Sequence, residues 1–306
     1  MKKILVIGEI LVDSFKDLKS NTYIKKVGGA PFNVAYNLSS LNDEVTFIGQ
    51  VGDDTNGEFI FSNITTNPKL KLDIEMLKGI KTTVANVVSN GENVEYYFER
   101  CNTSDYRFDF NKLFSLDYSL FDLVHFGSLM LSDDDTYNNL LKLIKIIKKV
   151  NIKISFDVNL RLDIYKSNDI ALKKNLNLID YIDILKTSKD EVLWLTGLNS
   201  IEEINNKFDT TRRYIFITDG SRGSYLLKNN KIFIKDIFKT DSFDFVGCGD
   251  SFFAGALHAL LNESSCEDIL SFASATGALT TKVKGAIGGY KSENEVIEFI
   301  KSYLNS

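Results

Sequence analysis

Residues 244–253 join a glycine-containing loop to a helix and place a carboxylate at the junction. Gly247 and Gly249 leave their backbone N–H groups uncovered by side chains, and the apolar residues that follow Asp250 recur with helical spacing. Exposed N–H groups at the start of a helix attract anions such as phosphate. A carboxylate beside them is unfavourable unless it accepts a proton while a phosphate is held next to it. We therefore interpret Asp250 as a candidate base beside an anion site.

Three further segments carry patterns that suit a ligand site. In residues 28–33 two glycines allow a ligand to approach the backbone, and Asn33 offers a donor and an acceptor to a polyol. Residues 157–161 follow an apolar run, and Arg161 has the fork geometry that holds a phosphate. Residues 218–223 also follow an apolar run and could wrap a nucleotide phosphate. Taken singly, each segment is equally compatible with an ordinary turn.

Short apolar runs alternate with helical patterns along most of the chain. Predicted strands cover residues 4–7, 45–51, 123–126, 152–158, 182–186 and 214–218, and predicted helices cover residues 33–41, 137–150, 188–195 and 201–206. Strands that are apolar on both faces and interleaved with helices predict a mostly parallel sheet covered on both sides. Ligands of such sheets bind beyond the carboxyl ends of the strands, which is where the polar segments fall.

Two segments do not follow this alternation of strands and helices. Residues 82–89 and 94–100 are rich in β-branched and aromatic residues, and residues 89–92 between them carry a hairpin turn signal. We predict that residues 11–33 and 81–107 pair into a small β lid. The α/β domain then consists of residues 1–10, 34–80 and 108–306.

Composition excludes several classes of protein. A net charge of −5 and an isoelectric point near 5.3 argue against a nucleic-acid partner. The three cysteines form no CxxC pair, so neither a disulfide framework nor a zinc site is expected, and a cytoplasmic location fits. No apolar run approaches the roughly 20 residues of a membrane span, so no membrane association is expected.

Several catalytic motifs are absent from the sequence. It contains no P-loop, no Gly-x-Gly-x-x-Gly after the first strand, no His-Glu-x-x-His and no Gly-x-Ser-x-Gly. The two histidines, His125 and His258, have apolar neighbours and are interpreted as packing residues, and Cys248 as a small filler within the glycine loop. The glycine loop with Asp250 is therefore the leading site.

These segments together resemble the ribokinase-like (PfkB) family of carbohydrate kinases, and within it the fructokinases, from residue 8 to about residue 288. Residues 247–250 resemble the second signature of the family, and Gly28, Gly29 and Asn33 resemble the first. The resemblance implies a three-layer α/β sandwich with a small β-sheet lid. It also implies transfer of the γ-phosphoryl group of ATP to a sugar hydroxyl with Mg²⁺, and a homodimer formed through the lid.

The resemblance also assigns roles to individual positions. Asp250 would be the base, and the N–H groups of Gly247, Cys248 and Gly249 would form an anion hole. Sugar-binding positions would be Asp13, Gly28, Gly29, Asn33, Arg100, Asn159 and Arg161. Nucleotide-binding positions would be Ser188, Thr218, Gly220, Gly223, Gly247, Gly249 and Gly285. Glu191 would act indirectly on Mg²⁺, and Asp244 would lie at a site for a monovalent cation such as K⁺.

The sequence departs from the family pattern at a few of these positions. Phe245 stands where threonine is usual, which affects the cation site, and Ser188 replaces an asparagine, which affects the metal arrangement. At the start of a helix, Asp250 should be held ionised. We therefore expect a weak base that acts more by orienting the hydroxyl than by basicity.

The sequence leaves other activities open. A 2-keto-3-deoxygluconate kinase is the nearest rival, because Arg100 could meet a substrate carboxylate. A ribokinase is a further enzymatic alternative. A catalytically silent sugar-binding protein is the alternative from another class, although the intact Asp250 argues against it.

Overall fold

Strands and helices alternate along most of the chain. The structure is a computed structural model that describes residues 1–17, 22–89 and 94–304. Its strands are β1 (Lys3–Ile7), β2 (Leu11–Asp17), β3 (Thr22–Gly28), β4 (Glu44–Gly52), β5 (Leu70–Leu77), β6 (Val84–Ser89), β7 (Val94–Glu99), β8 (Leu123–Phe126), β9 (Lys153–Asp157), β10 (Ile184–Ser188), β11 (Tyr214–Thr218), β12 (Ser224–Lys228) and β13 (Lys231–Lys235). Its α-helices are α1 (Ala30–Ser40), α2 (Thr55–Asn63), α3 (Phe110–Ser115), α4 (Asp134–Lys149), α5 (Asn168–Ile179), α6 (Lys189–Thr196), α7 (Ile201–Lys207), α8 (Cys248–Leu261), α9 (Cys266–Thr280) and α10 (Glu293–Leu304). None of these helices combines the length and the apolar composition that a bilayer span requires.

Nine of the strands form one central sheet in the order β13-β12-β11-β10-β9-β8-β1-β4-β5. Pairing is parallel from β11 to β5, and β12 and β13 add an antiparallel edge. The carboxyl ends of the parallel strands therefore meet along one edge of the sheet. The predicted mostly parallel sheet is confirmed.

Strand β1 shows why helices cover both faces of this sheet. Successive side chains of a strand point to opposite faces. Ile4 and Val6 pack into a core with helices α1, α2, α8, α9 and α10, whereas Leu5 and Ile7 pack into a second core with α3 to α7. All four side chains are fully buried. The sheet thus lies between two helical layers, and the predicted three-layer sandwich is confirmed.

A separate four-stranded sheet, which we call the lid sheet, has the order β3-β2-β6-β7. Strands β2 and β6 pair in parallel and the other pairs are antiparallel. Both segments predicted as lid strands are strands, but α1 begins at Ala30, inside the range 11–33 that we assigned to the lid. The turn predicted at residues 89–92 lies mostly outside the described residues, and the division into two domains stays a prediction.

The two edge strands of the central sheet, β5 and β13, were not predicted. Most of their side chains are half-buried or exposed. The sequences LKLDIEML and KIFIK therefore lack the continuous apolar run that marks the central strands. An edge strand of a parallel sheet carries a weaker signal than a central one.

Candidate active site

A polar pocket of about 200 Å³ lies between the lid sheet and the carboxyl ends of β1 and β9. The central domain lines it with Glu9, Asn33, Asn159, Arg161, Lys186 and Asp250. The lid sheet lines it with Leu11, Asp13, Ala85, Tyr96 and Phe98. The pocket therefore brings together five of the predicted side chains, which come from distant parts of the sequence.

Asp250 lies in the first turn of α8, at the floor of this pocket. Its Oδ2 accepts a hydrogen bond of 2.7 Å from Nδ2 of Asn33. Burial raises the pKa of Asp250 to about 6, although the Asn33 hydrogen bond and the charges of Lys186 and Arg161 oppose the shift. We expected an ionised carboxylate with low basicity, and burial instead brings its pKa close to neutrality. Asp250 is thus ionised at neutral pH and is a better base than expected.

The loop before α8 owes its shape to Gly247, which caps the helix with φ of 74°. A Cβ on Gly247 would lie 2.2 Å from Cβ of Ala286, so a larger residue would push the loop away from the segment around residue 286. Burial raises the pKa of the Cys248 thiol to about 11. Cys248 is therefore a neutral packing residue, and its contribution to the predicted anion hole is its backbone N–H.

Lys186 is a site residue that the sequence analysis missed. Its Nζ binds Oδ2 of Asp157 at 2.7 Å, and a Cβ on Gly249 would lie 3.4 Å from that Nζ. Burial alone would lower the pKa of Lys186, but the carboxylates of Asp157, Glu191 and Asp250 together raise it. A fixed positive charge therefore stands beside the predicted anion hole. A lysine at the end of an otherwise apolar strand was the signal that could have identified it.

Glu191 connects two of the predicted segments through its carboxylate. Oε2 accepts the N–H of Ser188 at 2.7 Å, and Oε1 accepts the N–H of Leu160 at 2.7 Å. The Ser188 hydroxyl in turn accepts the N–H of Glu191 at 3.2 Å, which completes a capping box at the start of α6. Serine replaces the expected asparagine without loss of the cap.

The carboxylate oxygens of Asp157 and Glu191 fit a magnesium ion that is held through water and phosphate. Oδ1 of Asp157 is buried and has no hydrogen-bond partner, so it is an acceptor left open beside Lys186. In the described residues, no group of three His, Cys, Asp or Glu side chains could hold a metal directly. Mg²⁺ prefers oxygen ligands and keeps several waters. Asp157 and Glu191 would therefore reach it indirectly.

Four of the predicted nucleotide positions lie at the ends of β10 and β11, outside the polar pocket, whereas Gly247 and Gly249 line that pocket. Ser188 and Thr218 are direct neighbours on these parallel strands. Gly220 and Gly223 follow with φ of 54° and 101°, and a Cβ on Gly223 would lie 2.3 Å from the Lys235 carbonyl. The turn between them is exposed. This loop keeps its shape through backbone conformations that favour glycine.

Two acidic residues line the part of the pocket that is predicted to bind sugar. Burial and the charge of Asp250 raise the pKa of Asp13 to about 7. A Cβ on Gly28 would lie 2.0 Å from Oδ2 of Asp13, so the glycine leaves the space that this carboxyl needs. Glu9 was missed by the sequence analysis; burial raises its pKa to about 8, and its Oε2 has no hydrogen-bond partner. These oxygens can accept hydrogen bonds from hydroxyl groups.

Arg161 and Arg100 were both predicted to bind substrate, and the structure separates them. Arg161 lines the pocket with its guanidinium 4.7 Å from the centre of the Tyr96 ring. Nε of Arg100 instead donates to Oδ2 of Asp105 at 2.7 Å, and its Nη1 donates to Oγ of Ser132 at 2.7 Å. Arg100 is not among the residues that line the pocket, so its predicted contact with substrate is not supported.

Asp244, predicted beside a monovalent cation, has both carboxylate oxygens engaged. Oδ1 accepts the N–H of Val246 at 3.1 Å and Oδ2 accepts the N–H of Gly285 at 2.9 Å. Nζ of Lys26, from β3, donates to the carbonyl of Lys284 at 2.7 Å. A cation of the chain itself thus lies beside the position predicted for the ion, and this arrangement does not favour a second cation there.

The two histidines lie outside the pocket. Nδ1 of His125 lies 3.1 Å from Oγ of Ser155, and burial lowers the pKa of His125 to about 3. Nδ1 of His258 lies 2.8 Å from Oδ2 of Asp43, and this carboxylate outweighs burial and raises the pKa of His258. Both imidazoles are buried, as expected of packing residues.

The central sheet is mostly parallel, and a polar pocket lies between its strand ends and the lid sheet. The pocket contains a buried carboxylate at a helix N-terminus, where a phosphate could bind. This combination defines a small-molecule kinase of the α/β class. The chain belongs to the pfkB family of carbohydrate kinases, whose profile matches residues 1–293. The predicted family and the predicted class of enzyme are confirmed.

Individual relatives are fructokinases. The chain is 30% identical to "Probable fructokinase-4" of Arabidopsis thaliana over 317 residues, which cover 97% of this chain and 96% of the relative. It is 28% identical to Fructokinase-1 of Zea mays, with 96% of each chain covered. A double mutant of the fructokinase of Vibrio cholerae O395, solved with fructose, ADP and a potassium ion, superimposes with a TM-score of 0.86 at 25% identity and 98% coverage of both chains.

Proposed function

We propose that this protein is a fructokinase that transfers the γ-phosphoryl group of ATP to a hydroxyl of fructose. The observation that carries the proposal is Asp250, which lies in a polar pocket at the N-terminus of α8 and accepts a hydrogen bond from Asn33. The fructokinases among the relatives support fructose as the sugar. Acceptor oxygens of Glu9, Asn33 and Asp13 suit the hydroxyl donors of a neutral sugar.

In this proposal Asp250 binds the reacting hydroxyl and takes its proton as the phosphoryl group arrives. Phosphoryl transfer passes through a loose transition state, so positioning and charge stabilisation supply most of the rate. The N–H groups of residues 247–249 and the Lys186 ammonium would stabilise charge on the transferred group. The lid sheet would exclude water that could otherwise attack ATP.

Mg²⁺ would supply charge neutralisation of the ATP phosphates, with Asp157 and Glu191 reaching it through water. The nucleotide would lie along Ser188, Thr218, Gly220, Gly223 and the segment around Gly285. Potassium, which the Vibrio structure contains, is left out of this proposal because Lys26 already supplies a cation near Asp244. A cytoplasmic location stays a prediction.

The test is ADP release from Mg-ATP with fructose, ribose, 2-keto-3-deoxygluconate and fructose 6-phosphate as acceptors. We expect the highest kcat/KM with fructose. A preference for 2-keto-3-deoxygluconate would favour the rival kinase, although Arg100 is bound to Asp105 and not available in this state. Absence of ADP release with every sugar, together with calorimetric binding of fructose, would identify a silent sugar-binding protein.

We also propose a homodimer that forms through the lid sheet. Tyr23 and Ile24 on β3 are 58% and 39% exposed, which leaves apolar surface on the edge strand of the lid sheet. Sedimentation velocity at micromolar concentration should give twice the chain mass. A monomer at that concentration would contradict this part of the proposal.

A further inference from the structure

Lys26 connects the lid sheet to the segment that packs against the predicted anion hole. It lies on β3, opposite Asp13 of β2, and its Nζ donates to the carbonyl of Lys284 at 2.7 Å. The two residues are 258 positions apart in the sequence. This hydrogen bond therefore joins the lid to the central domain directly beside the sugar pocket.

Residues 284–286, which we call the hinge segment, are shaped to receive this ammonium. Gly285 has φ of 101°, and a Cβ built on it would lie 2.8 Å from Nζ of Lys26. Its N–H donates to Oδ2 of Asp244 at 2.9 Å. The backbone conformation thus favours glycine here, and a larger residue would also displace the end of the Lys26 side chain.

The hinge segment in turn supports the loop before α8. Ala286 occupies the space that a Cβ on Gly247 would need, and Oδ1 of Asp244 accepts the N–H of Val246 at 3.1 Å. A continuous set of contacts therefore leads from Lys26 through residues 284–286 to Gly247. Movement of the hinge segment would shift the N–H groups that are proposed to hold the phosphoryl group.

The pKa of Lys26 is lowered overall, although two carboxylates lie near its ammonium. Partial burial lowers the pKa of Lys26, while the carboxylates of Asp244 and Asp13 oppose that shift and Lys284 adds to it. The ammonium thus stands where a positive charge stabilises the carbonyl of Lys284 and the carboxylate of Asp244. A bound monovalent cation would supply the same charge and would have to displace the Lys26 ammonium.

We propose that Lys26 is a positioning residue whose ammonium fastens the hinge segment beneath the anion hole, in place of an exogenous monovalent cation. The proposal rests on the proposed kinase function. It makes turnover independent of potassium and couples closure of the lid to the shape of the anion hole. Lys26 acts through the hinge segment and does not touch the reacting atoms.

The main experiment compares Lys26→Met with Lys26→Arg and with Lys25→Met as a matched control. Lys25 is the neighbouring lysine on β3, but its Nζ binds Asn56 at 2.8 Å, away from the hinge segment. Each protein is assayed with fructose and Mg-ATP in chloride salts of potassium, sodium or tetramethylammonium at equal ionic strength. Sugar KM and kcat are determined separately.

We expect the wild type and Lys25→Met to have the same kcat in all three salts. In tetramethylammonium, Lys26→Met should lose about tenfold in kcat, the loss expected for one charge-assisted hydrogen bond, with fructose KM changed less. Potassium should restore part of this loss, and Lys26→Arg should retain most of the activity. A wild type that needs potassium, or a Lys26→Met variant equal to the wild type, would overturn the proposal.

A second measurement does not depend on turnover. The melting temperature of each protein is recorded in the three salts without substrate. Lys26→Met should be stabilised by potassium over tetramethylammonium, because the vacated position can take a cation, whereas the wild type should not. Equal salt responses of the two proteins would overturn the inference. If the wild type phosphorylates no sugar, the proposed function fails, and this measurement still decides the role of Lys26.

Discussion

The sugar side and the nucleotide side of the cleft are built in different ways. On the proposed sugar side, Glu9 follows β1, Asp13 lies on β2 of the lid sheet and Asn33 lies on α1, and all three are at least nine-tenths buried. On the nucleotide side, Gly220 to Arg222 form an exposed turn that follows β11. The sugar side is therefore organised by the core before any ligand binds, whereas the nucleotide side depends on the conformation of a surface loop.

The two sides also differ in how their functional groups affect the stability of the fold. Burial raises the pKa values of Glu9, Asp13 and Asp250 to about 8, 7 and 6. The unfolded chain releases these protons at lower pH, so the three carboxyls favour folding in acid, and this contribution is lost as the pH rises from about 4 to 8. Sites prepared for catalysis commonly contain such carboxyls. The nucleotide loop instead concentrates unusual backbone angles.

The largest expected effect is that of Asp250→Asn. The amide keeps the size and the contact with Asn33 but cannot take a proton, so kcat should fall on the order of 1,000-fold. ADP binding, measured by calorimetry, should stay within about threefold because the isosteric amide leaves the loop before α8 in place and the turn at residues 218–223 lies outside the pocket. Asp268→Asn, a change at an exposed carboxylate on α9, is the control. Near-normal turnover would contradict the role of Asp250 as base.

Asp13→Asn should act mainly on sugar affinity. Hydrogen bonds to a charged group contribute about 1.5–3 kcal/mol. At pH 8, where Asp13 with its pKa of about 7 is ionised, fructose KM should therefore rise roughly 30-fold with a smaller change in kcat. ATP KM should not change. Asp73→Asn, which alters a surface carboxylate bound to Lys112, serves as the control. An equal rise in both KM values would mean that the two sides are not separate.

The pH dependence should come from the sugar side. Asp250 must be deprotonated to accept the proton, and its pKa is about 6. Protonation of Asp250 removes activity as the pH falls through this value, so kcat/KM should decrease about tenfold per pH unit below pH 6. Asp13 and Glu9, with pKa values of about 7 and 8, shape the profile above it. A profile that stays flat down to pH 4.5 would show that burial does not raise this pKa.

Sequence reasoning found the residues that local pattern marks and missed those that tertiary packing creates. The glycine loop with Asp250 could be recognised because its residues are adjacent in the chain. Lys186 was missed because a lysine in an apolar strand is a weak local signal and its partner Asp157 lies on the neighbouring strand, 29 residues earlier. Two further properties arise only in the folded chain. Arg100 binds Asp105 and is held away from the pocket, and burial sets the pKa of Asp250. Local sequence patterns therefore predict the helices and strands better than they predict the ion pairs and pKa values of the site.

The smallest expected effect is that of Gly223→Ala on the nucleotide side. The added Cβ would lie 2.3 Å from the Lys235 carbonyl at φ of 101°, a conformation that costs about 1–3 kcal/mol for residues other than glycine. Displacement of the loop should raise ATP KM about fivefold and leave fructose KM unchanged. Gly220→Ala is the matched control, because its Cβ would meet no atom within 4 Å. If both variants weaken ATP equally, the positive φ that they share is responsible; if only Gly223→Ala does, the approach to Lys235 determines the shape of the loop.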